Sequence, residues 1–144
     1  MENKNARVTE RSLEQFSPAT QNKFAGKDHT QKRPPKKHRA RCYMMRTGIE
    51  GWTENDILRY CRLSSGRNYA TELERLLDIQ LERFVEKNPD GIGSHLRYRF
   101  ARRADVMRVI HLVNSNAAAG GYRGLSRAEI SDILILYPDA FTAA

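Results

Sequence analysis

The sequence predicts a mostly α-helical protein with a small β-hairpin. Two segments, GWTENDI (51–57) and GLSRAEI (124–130), each place a Thr or Ser three residues before an acidic residue, which is the capping-box signature of a helix start. Apolar residues recur at helical spacing within 69–76 and within 106–113. Between them, HLRYRF (95–100) alternates basic and apolar residues, which indicates one half-buried strand of a hairpin.

Positive charge is concentrated in the first part of the 144-residue chain, whose formal net charge is +8. Residues 1–41 hold 11 Lys and Arg against 4 Asp and Glu, whereas residues 42–144 hold 14 against 13. Because large apolar side chains are rare in the first segment, it cannot bury enough surface to offset the entropy lost on ordering. We therefore predict a disordered basic N-terminal arm over 1–41. Its candidate contacts with nucleic-acid phosphates are Lys32, Arg33, Lys36, Lys37, Arg39 and Arg41.

Three short helices are predicted to follow the arm. The first begins near residue 42 and ends near a Thr-Gly pair at 47–48. The second begins after Thr53, whose hydroxyl can cap the helix with Asp56 as its reciprocal partner, and it ends near Cys61. A short break, RLSSG, separates it from the third helix.

The third helix, predicted over about 66–80, has two distinct faces. Tyr69, Leu73 and Leu76 follow helical spacing and are predicted to face the core. The opposite stripe carries Arg and Asn, residue types that can bond guanine and adenine in the major groove, although an ordinary solvated face has a similar composition. The candidate base-reading residues on this stripe are Arg67, Asn68, Thr71 and Arg75.

A β-hairpin is predicted where the apolar period changes from helical to alternating. The segments ERFVE (82–86) and HLRYRF (95–100) are separated by KNPDGIGS, which is rich in turn residues. In the second strand, Leu96, Tyr98 and Phe100 are predicted to face the core. The outward residues can contact DNA phosphates, or they can simply protect an exposed strand edge from pairing with another chain. These outward residues are His95, Arg97 and Arg99.

The C-terminal part is predicted to form a pair of helices over 102–144. The first of them carries an apolar stripe that can pack on the core or form a homodimer through 104–137. A flexible loop, SNAAAGGYRG, leads to the second, whose capping residues repeat those of the helix after Thr53. The capping rules alone explain that likeness; the alternative is a second helix-turn-helix unit that the chain ends before completing.

The order helix, short loop, helix, break, helix and hairpin over 42–101 resembles the winged helix-turn-helix DNA-binding family. The segment DIL is similar to the positioning helix, SSGRNYATELERLL to the turn and recognition helix, and LERFVEK with SHLRYRF to the wing. The resemblance implies a domain that binds double-stranded DNA, with the recognition helix reading bases and the wing contacting the backbone. The chain is also similar to small DNA-binding regulators carried on phage and other mobile elements. Where the family usually has Gly between recognition helix and wing, this sequence has Gln80.

No sequence signature predicts an enzyme, a cofactor or a metal site. The glycine-rich segments lack the spacing of phosphate-binding loops, and the four His and two Cys residues form no metal-binding motif. The cysteines, Cys42 and Cys61, are expected to be reduced core residues. Because the chain has no secretory signal and no apolar run of membrane-spanning length, we expect a cytoplasmic, nucleoid-associated protein.

We therefore expect a double-stranded DNA-binding protein that acts as a transcriptional regulator. The alternatives are a protein-protein adaptor built on the winged-helix fold, and an RNA- or nucleoid-binding protein without sequence preference. Site-specific binding predicts that Arg67→Ala relaxes sequence preference, whereas Lys36→Ala and Lys37→Ala weaken binding to all sequences alike. The adaptor alternative predicts no effect on DNA binding beyond the loss of charge in the arm.

Overall fold

Five α-helices and one three-stranded antiparallel sheet make up the part of the chain that the computed structural model describes, residues 32–138. The helices are α1 (Lys36–Arg46), α2 (Glu54–Cys61), α3 (Gly66–Leu77), α4 (Arg103–Gly120) and α5 (Arg127–Ile135). The strands are β1 (Trp52–Thr53), β2 (Glu82–Lys87) and β3 (Ser94–Arg99). The predicted combination of helices with a small hairpin is confirmed, and a third strand is added to it.

The hydrophobic core is organised around Trp52, which is completely buried in β1. Its indole stacks on the Tyr98 ring, 5.9 Å away between centroids, and packs at a tilt against the Phe100 ring at 5.3 Å. Such large aromatic side chains dominate the energetics of a small core. Fully buried side chains from all five helices join them, among them Met44, Ile57, Leu73, Val106, Val109 and Ile133.

The strand order of the sheet is β1-β3-β2, so β3 is the central strand. Arg83 lies opposite Tyr98 in the β2–β3 pair, and Trp52 lies opposite Tyr98 in the β1–β3 pair. The interpretation of HLRYRF as a sheet edge is therefore wrong at Arg97 and Tyr98, where β1 pairs with β3, whereas His95 and Leu96 have a partner strand on the β2 side only. Tyr98 and Phe100 are buried as predicted, whereas Leu96, nearer the hairpin turn, is partly exposed.

Both predicted capping boxes are present. The Thr53 hydroxyl accepts a hydrogen bond from the Asp56 backbone N–H at 3.0 Å, and the Asp56 carboxylate accepts one from the Thr53 N–H at 3.0 Å. Ser126 and Glu129 make the same reciprocal pair, at 3.1 and 2.8 Å. Helices α2 and α5 begin where the sequence predicts because every partner of a capping box lies within four residues of the chain.

The predicted boundary between the arm and the folded domain is wrong, because α1 begins at Lys36, six residues earlier than expected. Pro35 precedes the helix in an extended conformation. Ala40 and Arg41 are buried, so residues assigned to the arm contribute to the folded unit. The basic composition of this segment led to the prediction of disorder. Long basic side chains occupy the exposed face of α1, and Ala40 is buried on the opposite face of the same turns. The predicted disorder of residues 1–31 lies outside the described residues.

The buried face of α3 differs in part from the predicted one. Leu73 is buried and Tyr69 packs against the core, but Leu76 is 53% exposed. Ala70, which the spacing of large apolar residues did not select, is completely buried instead. The helix also ends three residues earlier than predicted, where Asp78 adopts a left-handed conformation with φ of 53°.

Helix α4 is longer than predicted. It continues to Gly120, through the Ala-rich first part of the segment SNAAAGGYRG, for which the sequence predicts a flexible loop. Alanine is the strongest helix former, and Ala117 is buried against the core side of this last part. Gly121 then ends the helix in a left-handed conformation with φ of 75°. The apolar stripe of α4 is buried within the chain itself, which favours core packing, the first of the two alternatives, over a homodimer through 104–137.

Tyr137 joins the segment after α5 to α1. Its hydroxyl donates to the Met45 carbonyl at 2.8 Å and accepts from the Gly48 N–H at 3.1 Å. Burial raises the pKa of Tyr137 to about 12. Arg103 caps the same helix end, since its guanidinium donates to the carbonyls of Leu134 at 2.9 Å and Tyr137 at 3.0 Å. The C-terminal helix is thereby fixed to both α1 and α4.

Gly51 permits the close approach of β1 to β3, and it provides a test of stability. Its φ of 70° and ψ of −162° lie in a region restricted to glycine, and a Cβ there would overlap the Tyr98 carbonyl. We expect Gly51→Ala to lower the free energy of unfolding by about 3 kcal/mol or more in urea denaturation. Gly91, in the hairpin turn, also has positive φ but open space around it, so Gly91→Ala should cost only about 1 kcal/mol. Equal losses would show that contact with β3 does not restrict position 51.

Candidate nucleic-acid interface

The outward face of α3 presents the four candidate base-reading residues together. Arg67, Asn68, Thr71 and Arg75 are all exposed, and Arg67, Thr71 and Arg75 are spaced by four residues along one face. The Thr71 hydroxyl donates to the Arg67 carbonyl at 3.0 Å. Within residues 32–138, neither Arg67 nor Arg75 forms an ion pair with a carboxylate, in contrast to many of the other arginines. Their guanidinium groups are therefore available for an external anion.

Glu74 fixes α3 to the hairpin. Its carboxylate accepts two hydrogen bonds from the Arg83 guanidinium, at 2.6 and 2.8 Å, and a third from the Leu81 N–H at 2.8 Å. The Arg83 bonds are the main cause of the lowered pKa of the Glu74 carboxyl, because they stabilise its charged form. The Arg83 guanidinium also lies 5.2 Å from the centre of the Tyr98 ring. The C-terminal half of α3 is thus coupled to the aromatic core.

Glu72 fixes α3 to α1. Its carboxylate accepts hydrogen bonds from Lys37 at 2.7 Å and from Arg41 at 3.0 Å. At the end of the helix, Arg108 of α4 donates to the Leu77 carbonyl at 3.0 Å. The groups that hold α3 in place are therefore different from the side chains of its exposed face. The contacts that fix the helix leave that exposed face open to solvent.

The turn between α2 and α3 sets the orientation of α3. Arg62 and Ser65 both adopt left-handed conformations, with φ of 60° and 61°. A Cβ at Gly66 would lie 3.0 Å from the Ile57 side chain, so glycine allows α3 to begin directly against α2. The backbone conformations of Arg62 and Ser65 and the close contact at Gly66 therefore fix the direction of the α3 axis relative to α2.

The predicted wing cations are paired with acidic residues of the domain. Arg97 Nε donates to the Glu86 carboxylate at 2.6 Å, and Arg97 Nη1 lies 3.7 Å from Asp56. His95 Nε2 lies 3.0 Å from the other oxygen of Glu86. Because Arg97 is hydrogen-bonded to it, the pKa of the Glu86 carboxyl is lowered. Both ring nitrogens of His95, and the Nε and Nη1 groups of Arg97, are therefore already engaged within the domain.

Arg99 is engaged in the same way, since its guanidinium lies 2.6 Å from Glu82 and 4.7 Å from the centre of the Phe84 ring. The sequence of β3 alone does not reveal its neighbours on β2. In the observed register, Glu82 lies opposite Arg99 and Glu86 lies opposite His95. The alternation in ERFVE, read together with that in HLRYRF, is the signal that could have revealed these pairs.

Three of the six candidate arm residues have structural roles in α1. Lys37 and Arg41 contact Glu72 as described, and Arg39 donates to the Cys61 carbonyl at 2.8 Å. The other three are exposed: Lys32, Arg33 and Lys36. Of the six residues only Arg41 is buried, since Lys37 and Arg39 are exposed although they make these contacts.

No group of three or more His, Cys, Asp or Glu residues in the described part of the chain is arranged to hold a metal ion. Cys42 and Cys61 are free and buried, and burial raises the pKa of the Cys42 thiol to about 11. Across residues 32–138, no helix combines the length and the apolar character needed to cross a membrane.

Comparison with known proteins gives one family. A family model described as "Uncharacterised protein PM1773" matches residues 35–142. The uncharacterized protein PM1773 of Pasteurella multocida (strain Pm70) is 32% identical over 82 residues, which cover 57% of this chain and 58% of that protein. The aligned region therefore spans less than two thirds of the relative's length. No solved structure matches.

Glu74→Gln tests how strongly α3 depends on its contact with the hairpin. We expect the variant to be about 1–2 kcal/mol less stable at neutral pH, because Arg83 and the Leu81 N–H lose a charged acceptor. Since the pKa of Glu74 is lowered in the folded protein, its contribution is present above the usual value of 4.5 and is lost as the pH falls through the folded value. Urea denaturation at a series of pH values should therefore show the difference narrowing in acid.

The matched control is Glu50→Gln, which removes an exposed carboxylate that forms no ion pair among the described residues. It should change stability little at any pH. A Glu74→Gln deficit that stays constant as the pH falls would contradict an ionic role for this contact.

Proposed function

We propose that this chain, which belongs to the family described as uncharacterised protein PM1773, is a double-stranded DNA-binding protein that reads the major groove with α3 and acts as a transcriptional regulator. The observation that carries the proposal is the exposed face of α3. It combines two arginines that have no ion-pair partner in the described residues with Asn68 and Thr71, on a helix that is held from three sides.

The dimensions and chemistry of α3 suit this role. Its 12 residues give a helix about 18 Å long, and the major groove, about 12 Å wide, admits one α-helix. An arginine can donate two hydrogen bonds to guanine, and an asparagine can bond adenine through both groups of its amide. Arg67 and Asn68 at the start of the helix have these capacities.

The order of elements supports the winged helix-turn-helix interpretation. Helices α1, α2 and α3 precede the hairpin of β2 and β3, as the resemblance implies. The short strand β1 adds to the hairpin on the side of β3. The turn between α2 and α3 presents the proposed recognition helix outward.

The structure shifts the proposed contacts away from the wing. Arg97 and Arg99 already have carboxylate partners, and breaking such a pair to reach a phosphate returns little net free energy. The base contacts remain with α3, and we no longer include the wing among the backbone contacts. Non-specific attraction comes from exposed cations near the N-terminus, such as Lys36, since each phosphate that a cation neutralises adds about 0.9 to the salt dependence of binding.

The proposal is tested with the full chain by fluorescence anisotropy against a randomised pool of duplexes, followed by sequencing of the retained fraction. We expect an enriched sequence motif. Arg67→Ala should relax the preference at one or two positions and cost about 1–3 kcal/mol of discrimination there. Arg75→Ala should weaken binding and reduce its salt dependence.

The matched control is Arg127→Ala, which removes an exposed arginine from α5 instead of α3. It should leave the motif unchanged, and Arg97→Ala should affect affinity less than Arg67→Ala. Equal effects of Arg67→Ala and Arg127→Ala would contradict reading by α3. Absence of DNA retention by the full chain would favour the adaptor alternative, for which exposed Val85 and Ile92 on the hairpin are the supporting observation.

A further inference from the structure

A cavity of about 330 Å³ lies where the N-terminus of α1 meets the C-terminus of α4. Its polar lining comes from Lys37, His38 and Arg41 of α1 and from Asn116 and Tyr122 on the α4 side. Among the described residues that line it there is no Asp or Glu. The cavity is thus lined by cations and neutral hydrogen-bonding groups, which is the composition of a site for an anion.

Two buried nitrogen atoms in this lining lack hydrogen-bond partners. Arg41 is only 3% exposed, and although its Nη2 contacts Glu72, its Nε has no partner. His38 is 9% exposed, and its Nδ1 also has no partner. Most buried polar atoms in folded proteins are hydrogen-bonded, since an unsatisfied one costs free energy. Two such atoms beside one cavity mark it as the place where an acceptor is missing.

The surroundings of His38 favour a donor at Nδ1. Its Nε2 lies 3.5 Å from the Sγ of Cys42. The pKa of Cys42, raised to about 11 by burial, keeps the thiol protonated, so the thiol can donate to Nε2. With the thiol as donor, the proton of the neutral imidazole is on Nδ1. In this tautomer both His38 Nδ1 and Arg41 Nε are donors without an acceptor.

The N-terminus of α1 also favours an anion in this cavity. Pro35 provides no side-chain cap, and the first turn contains no acidic residue but has Lys36 and Lys37. The N-terminus of a helix carries partial positive charge and free N–H groups, so cations at this end are unfavourable unless an anion balances them. Burial, and to a lesser extent the charges of Arg41 and Arg46, also lower the pKa of His38, because both disfavour its protonated form.

We infer that this cavity is a binding site for a phosphate-type oxyanion, held by Arg41 Nε, His38 Nδ1 and the Asn116 amide. The Lys37 ammonium, which has two N–H groups besides the one that contacts Glu72, adds a charged contact. The site lies apart from the exposed face of α3 and does not depend on the proposed reading of bases. Two kinds of molecule can supply such a group: a small free phosphate compound, or one phosphate of a nucleic-acid backbone.

The test is a titration of the full chain with inorganic phosphate, followed by NMR of the His38 imidazole nitrogens. Sodium chloride at equal ionic strength is the reference. We expect a saturable shift with phosphate that chloride does not reproduce. Lys37→Gln, at a partly exposed position that leaves the core intact, should weaken apparent phosphate affinity by about tenfold, the effect of one charge-assisted hydrogen bond. Lys87→Gln removes an exposed cation from β2 and should leave the affinity unchanged.

Identical responses to phosphate and chloride, or equal weakening by Lys37→Gln and Lys87→Gln, would overturn the inference. A second arm adds duplex DNA without phosphate and identifies the source. If a backbone phosphate occupies the cavity, DNA shifts the His38 signals and inorganic phosphate competes. If the ligand is small, phosphate still saturates the site in the presence of DNA. Since the phosphate titration contains no DNA, its outcome is separate from that of the proposed function.

Discussion

The packing of Trp52 between β3 and the helices is the interaction on which the rest of the structure depends. Trp52 pairs with Tyr98 across the sheet, packs against Phe100, and directly precedes the residue that caps α2. Two consecutive residues therefore fix a strand, the start of a helix and the centre of the core. Helix α3 is held against this unit through Glu74 and Arg83, the latter lying over the Tyr98 ring. The geometry of the proposed DNA-reading face thus derives from one aromatic cluster.

Features that depend on local sequence could be predicted, whereas those set by distant partners could not. The capping boxes and the exposure of Arg67 and Arg75 follow from spacing within one or two helical turns. Strand β1 has only two residues, so no alternating pattern identifies it, and it exists because β3 lies beside it. The start of α1 was missed because charge outweighs apolar content there, although Arg41 is buried through a contact 31 residues away. Composition alone cannot reveal such a partner.

Charge is distributed differently from what the basic composition suggests. On the hairpin, Glu86 pairs with Arg97 and Glu82 pairs with Arg99. These ion pairs join β2 to β3, and they neutralise the two arginines. On α3, the carboxylates of Glu72 and Glu74 are bound to neighbouring elements, which leaves the outward arginines without acidic partners in the described residues. Acidic residues on the same helix therefore anchor it to α1 and to the hairpin, and they form no ion pair with its exposed Arg67 and Arg75.

The sequence of β2 also has a consequence for behaviour at high concentration. In ERFVEK the two glutamates share one face of the strand, and Arg83 and Lys87 share the other. Consider two copies of the protein whose β2 strands pair antiparallel at their free edges, with the same faces on the same side. One central register places Glu82 of each copy opposite Glu86 of the other, and the next places Arg83 opposite Lys87. Either arrangement is repulsive, so each copy disfavours growth of a continuous sheet with its neighbours. Exposed Phe84 and Val85 at the centre of β2 are therefore flanked by charges that oppose edge-to-edge pairing.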